Sequence, residues 1–143
     1  MTEGQSKTRT GVDLAGVPAE IRRLFPTALG AYLFGSGASD QLRETSDIDL
    51  AILSVEPIAA ELAFSLKAFI SRELRRDSDI VDLARADSVT AAQVVVFGIP
   101  VFVTDATAMG HFETMVMSRY ALLNEERAEI LADIVRRGAV YGR

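Results

Sequence analysis

The run SDIDLAILS, residues 46–54, constrains this chain more than any other stretch. It alternates at its start and then turns continuously apolar, as a strand buried on both faces does. Side chains two apart on a strand share a face, so Asp47 and Asp49 project together while Ile48 and Leu50 turn to the core. Their Cα atoms should lie about 6.5–7 Å apart. Two carboxylates that close repel, and one tends to take up a proton unless something positive sits beside them. Magnesium suits such a pair, because it takes one or two carboxylates and completes its shell with water and phosphate oxygens. On a solvated edge strand the same two acids would ask for no metal. The apolar run around them weighs against that reading.

A second feature stands upstream. AYLFG (31–35) reads as a short strand stopped by glycine, and Gly35-Ser36 precedes Asp47 by a ten-residue gap after the serine. Glycine lets a backbone approach a ligand, and N–H groups at such a turn, with the Ser36 hydroxyl, can hold phosphate oxygens. Alone, Gly-Ser is usually only a turn. No GxxxxGK or GxGxxG occurs, and the residues after Asp49 lack the glycine and glutamate of a calcium loop.

The rest of the chain reads as alternating helices and strands, hence α/β or α+β. PAEIRRLFP (18–26) is a short helix with Ile21, Leu24 and Phe25 on one face. In 57–76, Ile58, Leu62, Leu66, Phe69, Ile70 and Leu74 recur near helical spacing. SDIVDLA (78–84) is a strand; its Asp79 and Asp82 are three apart and so face opposite sides, and only one can join Asp47 and Asp49. A helix over 89–97 capped by Gly98, a strand PVFVT, and a long helix from His111 to Arg137, bent near Asn124 and closed at Gly138, complete the reading. Arg72, Arg75 and Arg76 at the end of the middle helix complement its dipole or meet a phosphate. Met109, Met115 and Met117 with Phe112 and Tyr120 make a stripe that serves as core or as a docking face.

Composition narrows the chemistry. No cysteine and a single histidine exclude thiolate and histidine-rich metal sites. A net charge of −5 argues against charge-driven nucleic-acid binding. No apolar run is long enough to span a membrane, and MTEGQSKTRTGVD lacks the apolar core of a signal peptide, so a cytoplasmic protein is the expectation.

The element Gly35, Ser36, ten residues, Asp47, Ile48, Asp49 resembles the signature of the DNA polymerase beta-like nucleotidyltransferase superfamily. Over about residues 18–137, with its SDIDLAI, DIVDLARAD and FETMVMSRYALLNEER segments, the chain resembles the minimal nucleotidyltransferases (MNT domains) that act as antitoxins to HEPN-domain ribonuclease toxins. The resemblance implies a small mixed, twisted sheet flanked by helices. It divides the chain into a flexible tail, 1–14, and a nucleotidyltransferase domain, 15–143, that includes the C-terminal helix. It implies two Mg²⁺ ions on Asp47, Asp49 and Asp79, with Asp82 in a structural role, and Gly35 and Ser36 holding the phosphates of ATP. The reaction implied is transfer of AMP from ATP to a tyrosine of the toxin. One departure is plain: the family often has a GSxARG pattern, and here GSGASD places Ser39 and Asp40 where arginine and glycine stand. Two other readings remain: an antitoxin that neutralises by binding alone, and a transferase acting on a small molecule such as an aminoglycoside.

Overall fold

A computed structural model describes residues 14, 16–35 and 47–140, with side chains as far as Arg137. The elements run α1 (Val17–Leu24), β1 (Ala28–Phe34), β2 (Ile48–Ser54), α2 (Ala60–Leu74), β3 (Ser78–Asp82), a 3-10 turn (Leu83–Arg85), α3 (Ser88–Phe97), β4 (Ile99–Val103) and α4 (Ala106–Val140). The four strands form one mixed sheet in the order β3-β2-β1-β4. β1 is antiparallel to both β2 and β4, and β2 is parallel to β3 through the α2 crossover. The expected mixed sheet flanked by helices is what the chain forms.

Each face of the sheet carries its own core, which explains why β2 is apolar on both sides beyond Asp49. On one face Ile48, Leu50 and Ile52 pack with Val17 and Ile21 of α1 and Leu66 and Ile70 of α2. On the other, Ala51 and Leu53 pack with Tyr32, Leu83, Ala91, Val94, Met109 and Val116. The helical stripe read in 57–76 lies on the first core: Leu66 and Ile70 are fully buried, and Ile58, Leu62, Phe69 and Leu74 pack against them. Leu14, at the boundary expected between tail and domain, is buried in the same core.

Three local expectations differ from the structure. The long helix starts at Ala106, not His111, because Asp105 caps it: its carboxylate accepts the Ala108 N–H at 3.0 Å. His111 is an exposed residue of its second turn. The helix also continues unbroken through Asn124 and Gly138. The methionine stripe divides: Met109 is buried and Phe112 and Tyr120 pack on the core, whereas Met115 and Met117 are exposed. The α4 helix of 35 residues is about 52 Å long. Its far half carries exposed Ile130, Leu131, Ile134 and Val135, and Leu122 is exposed just before its midpoint.

Gly98 ends α3 as expected, but for a different reason. Its backbone is extended rather than left-handed, and its N–H donates to the Val94 carbonyl at 2.7 Å. A Cβ there would collide with that carbonyl and lie 3.3 Å from Tyr32 Cβ. Close approach to the Val94 carbonyl of α3, and next to Tyr32 of β1, requires the glycine, not φ. Gly98→Ala should therefore cost about 1–3 kcal/mol, as overpacking does, and lower the melting temperature by about 3–10 °C. A thermal melt checks this, and an unchanged midpoint contradicts it.

Candidate active site

The acidic site is built at one end of the sheet by strand parity and register. Asp49 is the second residue of β2, with Asp47 just before it. In the parallel pairing of β2 with β3, Asp49 lies opposite Asp79. Alternation then places Asp79 on the side of Val81, which packs with α3 and α4, and places Asp82 on the side of Ile80, which packs with α1 and α2. Asp47 and Asp79 are exposed and Asp49 is half-buried. The structure thus brings Asp47, Asp49 and Asp79 together and leaves Asp82 on the opposite face.

Asp82 has other work. Its Oδ2 accepts the Ile58 N–H at 3.0 Å, and its Oδ1 accepts from the Arg85 guanidinium at 3.1 Å. Arg85 reaches on to the Val55 carbonyl at 3.0 Å. This brace ties the segment entering α2 to the end of β3. The Asp82–Arg85 spacing was visible in the sequence, but nothing local joined it to Ile58, 24 residues away.

Gly35 closes the site on the β1 side. The adjoining Phe34 pairs with Asp49. Gly35 has φ 66°, in the left-handed region where a side chain is strained. A Cβ at Gly35 would also collide with the Asp49 carboxylate. The missing side chain is therefore what lets backbone and carboxylate share one small space. Ser36 and the departure at Ser39 and Asp40 lie outside the described residues. Of the arginines at the end of α2, Arg72 pairs with Glu73 and lies over the Phe69 ring, and Arg75 is the left-handed cap residue. Arg76 Nη1 is buried without a hydrogen-bond partner.

The electrostatics follow from the geometry. Burial, and then the charges of Asp79 and Asp47, push the Asp49 carboxyl above the usual carboxylate range. Among the described residues no three acidic or imidazole groups are already drawn tightly enough to hold a metal ion. Hard oxygen donors of this kind close on a divalent cation whose charge offsets theirs. The donor set fits magnesium: oxygen ligands only, few of them, open to solvent for water and phosphate.

A raised carboxyl pKa in the folded state means stability is greatest below the unfolded value, about 3.9, and is lost as pH rises through the folded value. In metal-free buffer at neutral pH, Asp49→Asn should thus melt about 1–3 °C above the parent, a small gain because the site is largely open to solvent. The gain should vanish near pH 3. Thermal melts from pH 3 to 8 read this directly, and a neutral-pH midpoint below the parent's would refute the repulsion.

The polymerase beta nucleotidyltransferase family matches residues 20–107, which include every described acid of the site. The protein adenylyltransferase MntA of Shewanella oneidensis is 32% identical over 115 residues, covering 80% of this chain and 82% of the relative. Among solved structures, a toxin–antitoxin with AMP-PNP superposes with a TM-score of 0.71 at 29% identity, covering 83% of this chain and 95% of that one. A complex of an MNT antitoxin with tri-AMPylated Shewanella oneidensis HEPN toxin superposes with a TM-score of 0.66 at 28% identity, covering 83% and 92%. The family match over more than half of the chain and the relative at 32% identity agree: this chain belongs to the polymerase beta nucleotidyltransferase family.

Proposed function

We propose that this chain is a magnesium-dependent nucleotidyltransferase that moves AMP from ATP to a tyrosine of a HEPN-domain ribonuclease toxin, and so acts as its antitoxin. The observation that carries the reading is the likeness, over 80% of the chain, to a protein adenylyltransferase. The solved relative with a tri-AMPylated HEPN toxin supports a HEPN toxin as the acceptor. The relative with AMP-PNP supports an adenine nucleotide as donor. ATP as substrate points to the cytoplasm, and no helix among the described residues is long and apolar enough to cross a membrane.

In this reading Asp47, Asp49 and Asp79 would hold two magnesium ions, which when bound stabilise charge on the attacking and leaving oxygens. Gly35 and Ser36 orient the outer phosphates through the turn at the end of β1. The phenol oxygen forms a bond to the α-phosphorus, the α–β phosphoanhydride bond breaks, pyrophosphate leaves, and the phenol proton passes to solvent. The half-buried Asp49 must be ionised to take part, so activity should rise with pH through its elevated titration. Asp82 holds the β3 end and the entry to α2 in place rather than meeting substrate. The exposed apolar residues of distal α4 offer the toxin a docking surface. A phosphodiester on the toxin adds negative charge and bulk where an RNA backbone must dock, and both oppose binding.

The chain incubated with a HEPN-domain partner, ATP and Mg²⁺ should add multiples of one AMP mass to a partner tyrosine. Asp79→Asn should slow single-turnover transfer by about a hundredfold or more, and Asp82→Asn by less than about fivefold. A toxin that is silenced in a stable complex yet unmodified by intact-mass spectrometry would replace the enzyme reading with neutralisation by binding.

A further inference from the structure

β3 is an outer strand of the sheet, and it carries Asp79. Its backbone is half used. The Ile48 N–H donates to the Asp77 carbonyl at 2.9 Å, and in a parallel ladder alternate residues bond to the same neighbour. Asp77, Asp79 and Val81 therefore turn their backbone groups to β2, and those of Ser78 and Ile80 face away from it, toward an edge that no other described strand pairs with. The opposite edge strand, β4, contains Pro100, a residue that withholds a donor and blunts an edge. β3 has no proline.

Along this edge lies a groove of about 320 Å³, lined by Phe64, Lys67, Ala68 and Ser71 of α2 and by Asp77 and Ser78. These α2 residues lie off its core stripe, and Phe64 is 72% exposed, a large aromatic side chain left in solvent. Ser78 is only 9% exposed, and its Oγ is buried with no hydrogen-bond partner. A buried hydroxyl without a partner is a group that native folds normally satisfy, and Ser78 carries its own beneath the groove wall.

We propose that β3 and this groove form the docking track for the acceptor: an extended, tyrosine-bearing segment of the partner protein adds as a strand to β3. This rests on the transfer reading given above. Strand addition supplies main-chain hydrogen bonds from the edge and side-chain specificity from alternate pockets. Parity makes the placement specific. On an added strand, the side chain across from Asp79 projects on the face of Asp47 and Asp49, and its sequence neighbours project to the opposite face, where Ser78 and the groove lie. A tyrosine delivered to the acids thereby seats the adjacent residue against Phe64 and Ala68. That residue should have an apolar side chain, to fill the groove against Phe64 and Ala68.

The test uses the full chain and its HEPN-domain partner. Hydrogen exchange at the Ser78 and Ile80 amides should slow about tenfold or more when the partner binds. Ala68→Arg, an exposed helix position filled with a bulky cation, should raise the KM for the protein acceptor about tenfold with kcat within about twofold. AMP transfer that proceeds while both amides exchange as fast as in the free chain, or with an unaltered acceptor KM in Ala68→Arg, overturns the docking track and leaves the transfer reading standing. Protection of both amides without any transfer supports the track and refutes the transfer reading instead.

Discussion

The site depends on one register. Because β2 and β3 run parallel with Asp49 opposite Asp79, two carboxylates from separate strands meet side by side, and Asp47 adds a third from one alternation earlier. A one-residue slip of β3 would exchange Asp79 for Ser78 or Ile80 and turn the acid to the opposite face. The register is held by more than the ladder. Ile80 and Val81 pack on opposite cores, and the Asp82 brace pins the strand end to the Ile58 N–H. A slip would bury a carboxylate against apolar side chains, a cost that far exceeds the repulsion among the three acids.

That comparison explains how a fold tolerates a cluster it would otherwise shed. The central strand is buried on both faces from Leu50 to Ser54, so its position is fixed by two cores rather than one. The acids sit just where this double burial gives way to solvent. Asp49 is deep enough for burial to raise its pKa, and Asp47 and Asp79 remain exposed. The charge imbalance is thus stored at a place where the rest of the fold can hold it. In the proposed function, a divalent cation bound with the nucleotide would remove it.

Much of this was legible from residue spacing. The alternation in SDIDLAILS fixed the face of Asp47 and Asp49, and the separation of three between Asp79 and Asp82 told that they diverge. The choice of Asp79 came from the family pattern, and the register now supplies its geometry. Other features were set by contacts, local and distant, that spacing alone does not show. Gly98 caps α3 as its sequence suggests, but the glycine is needed for its close approach to the Val94 carbonyl and to Tyr32 of β1. The start of α4 is set at Ala106, ahead of His111, by Asp105, whose carboxylate accepts the Ala108 N–H. Phe64 fell outside the helical stripe and gave no hint that it walls a groove with Ser78, which folding brings to it across the α2–β3 turn.

The central claim is that like-charge crowding around Asp49 exists to be relieved by a divalent cation. The most direct measurement follows the Asp49 side-chain carboxyl by carbon-13 NMR across pH, in the free chain and with Mg²⁺ and a non-hydrolysable ATP analogue. The account predicts a titration above the ordinary carboxylate range in the free chain, falling below that range when metal and nucleotide are bound. An Asp49 that titrates at the same pH in both states, while the nucleotide demonstrably binds, would contradict it.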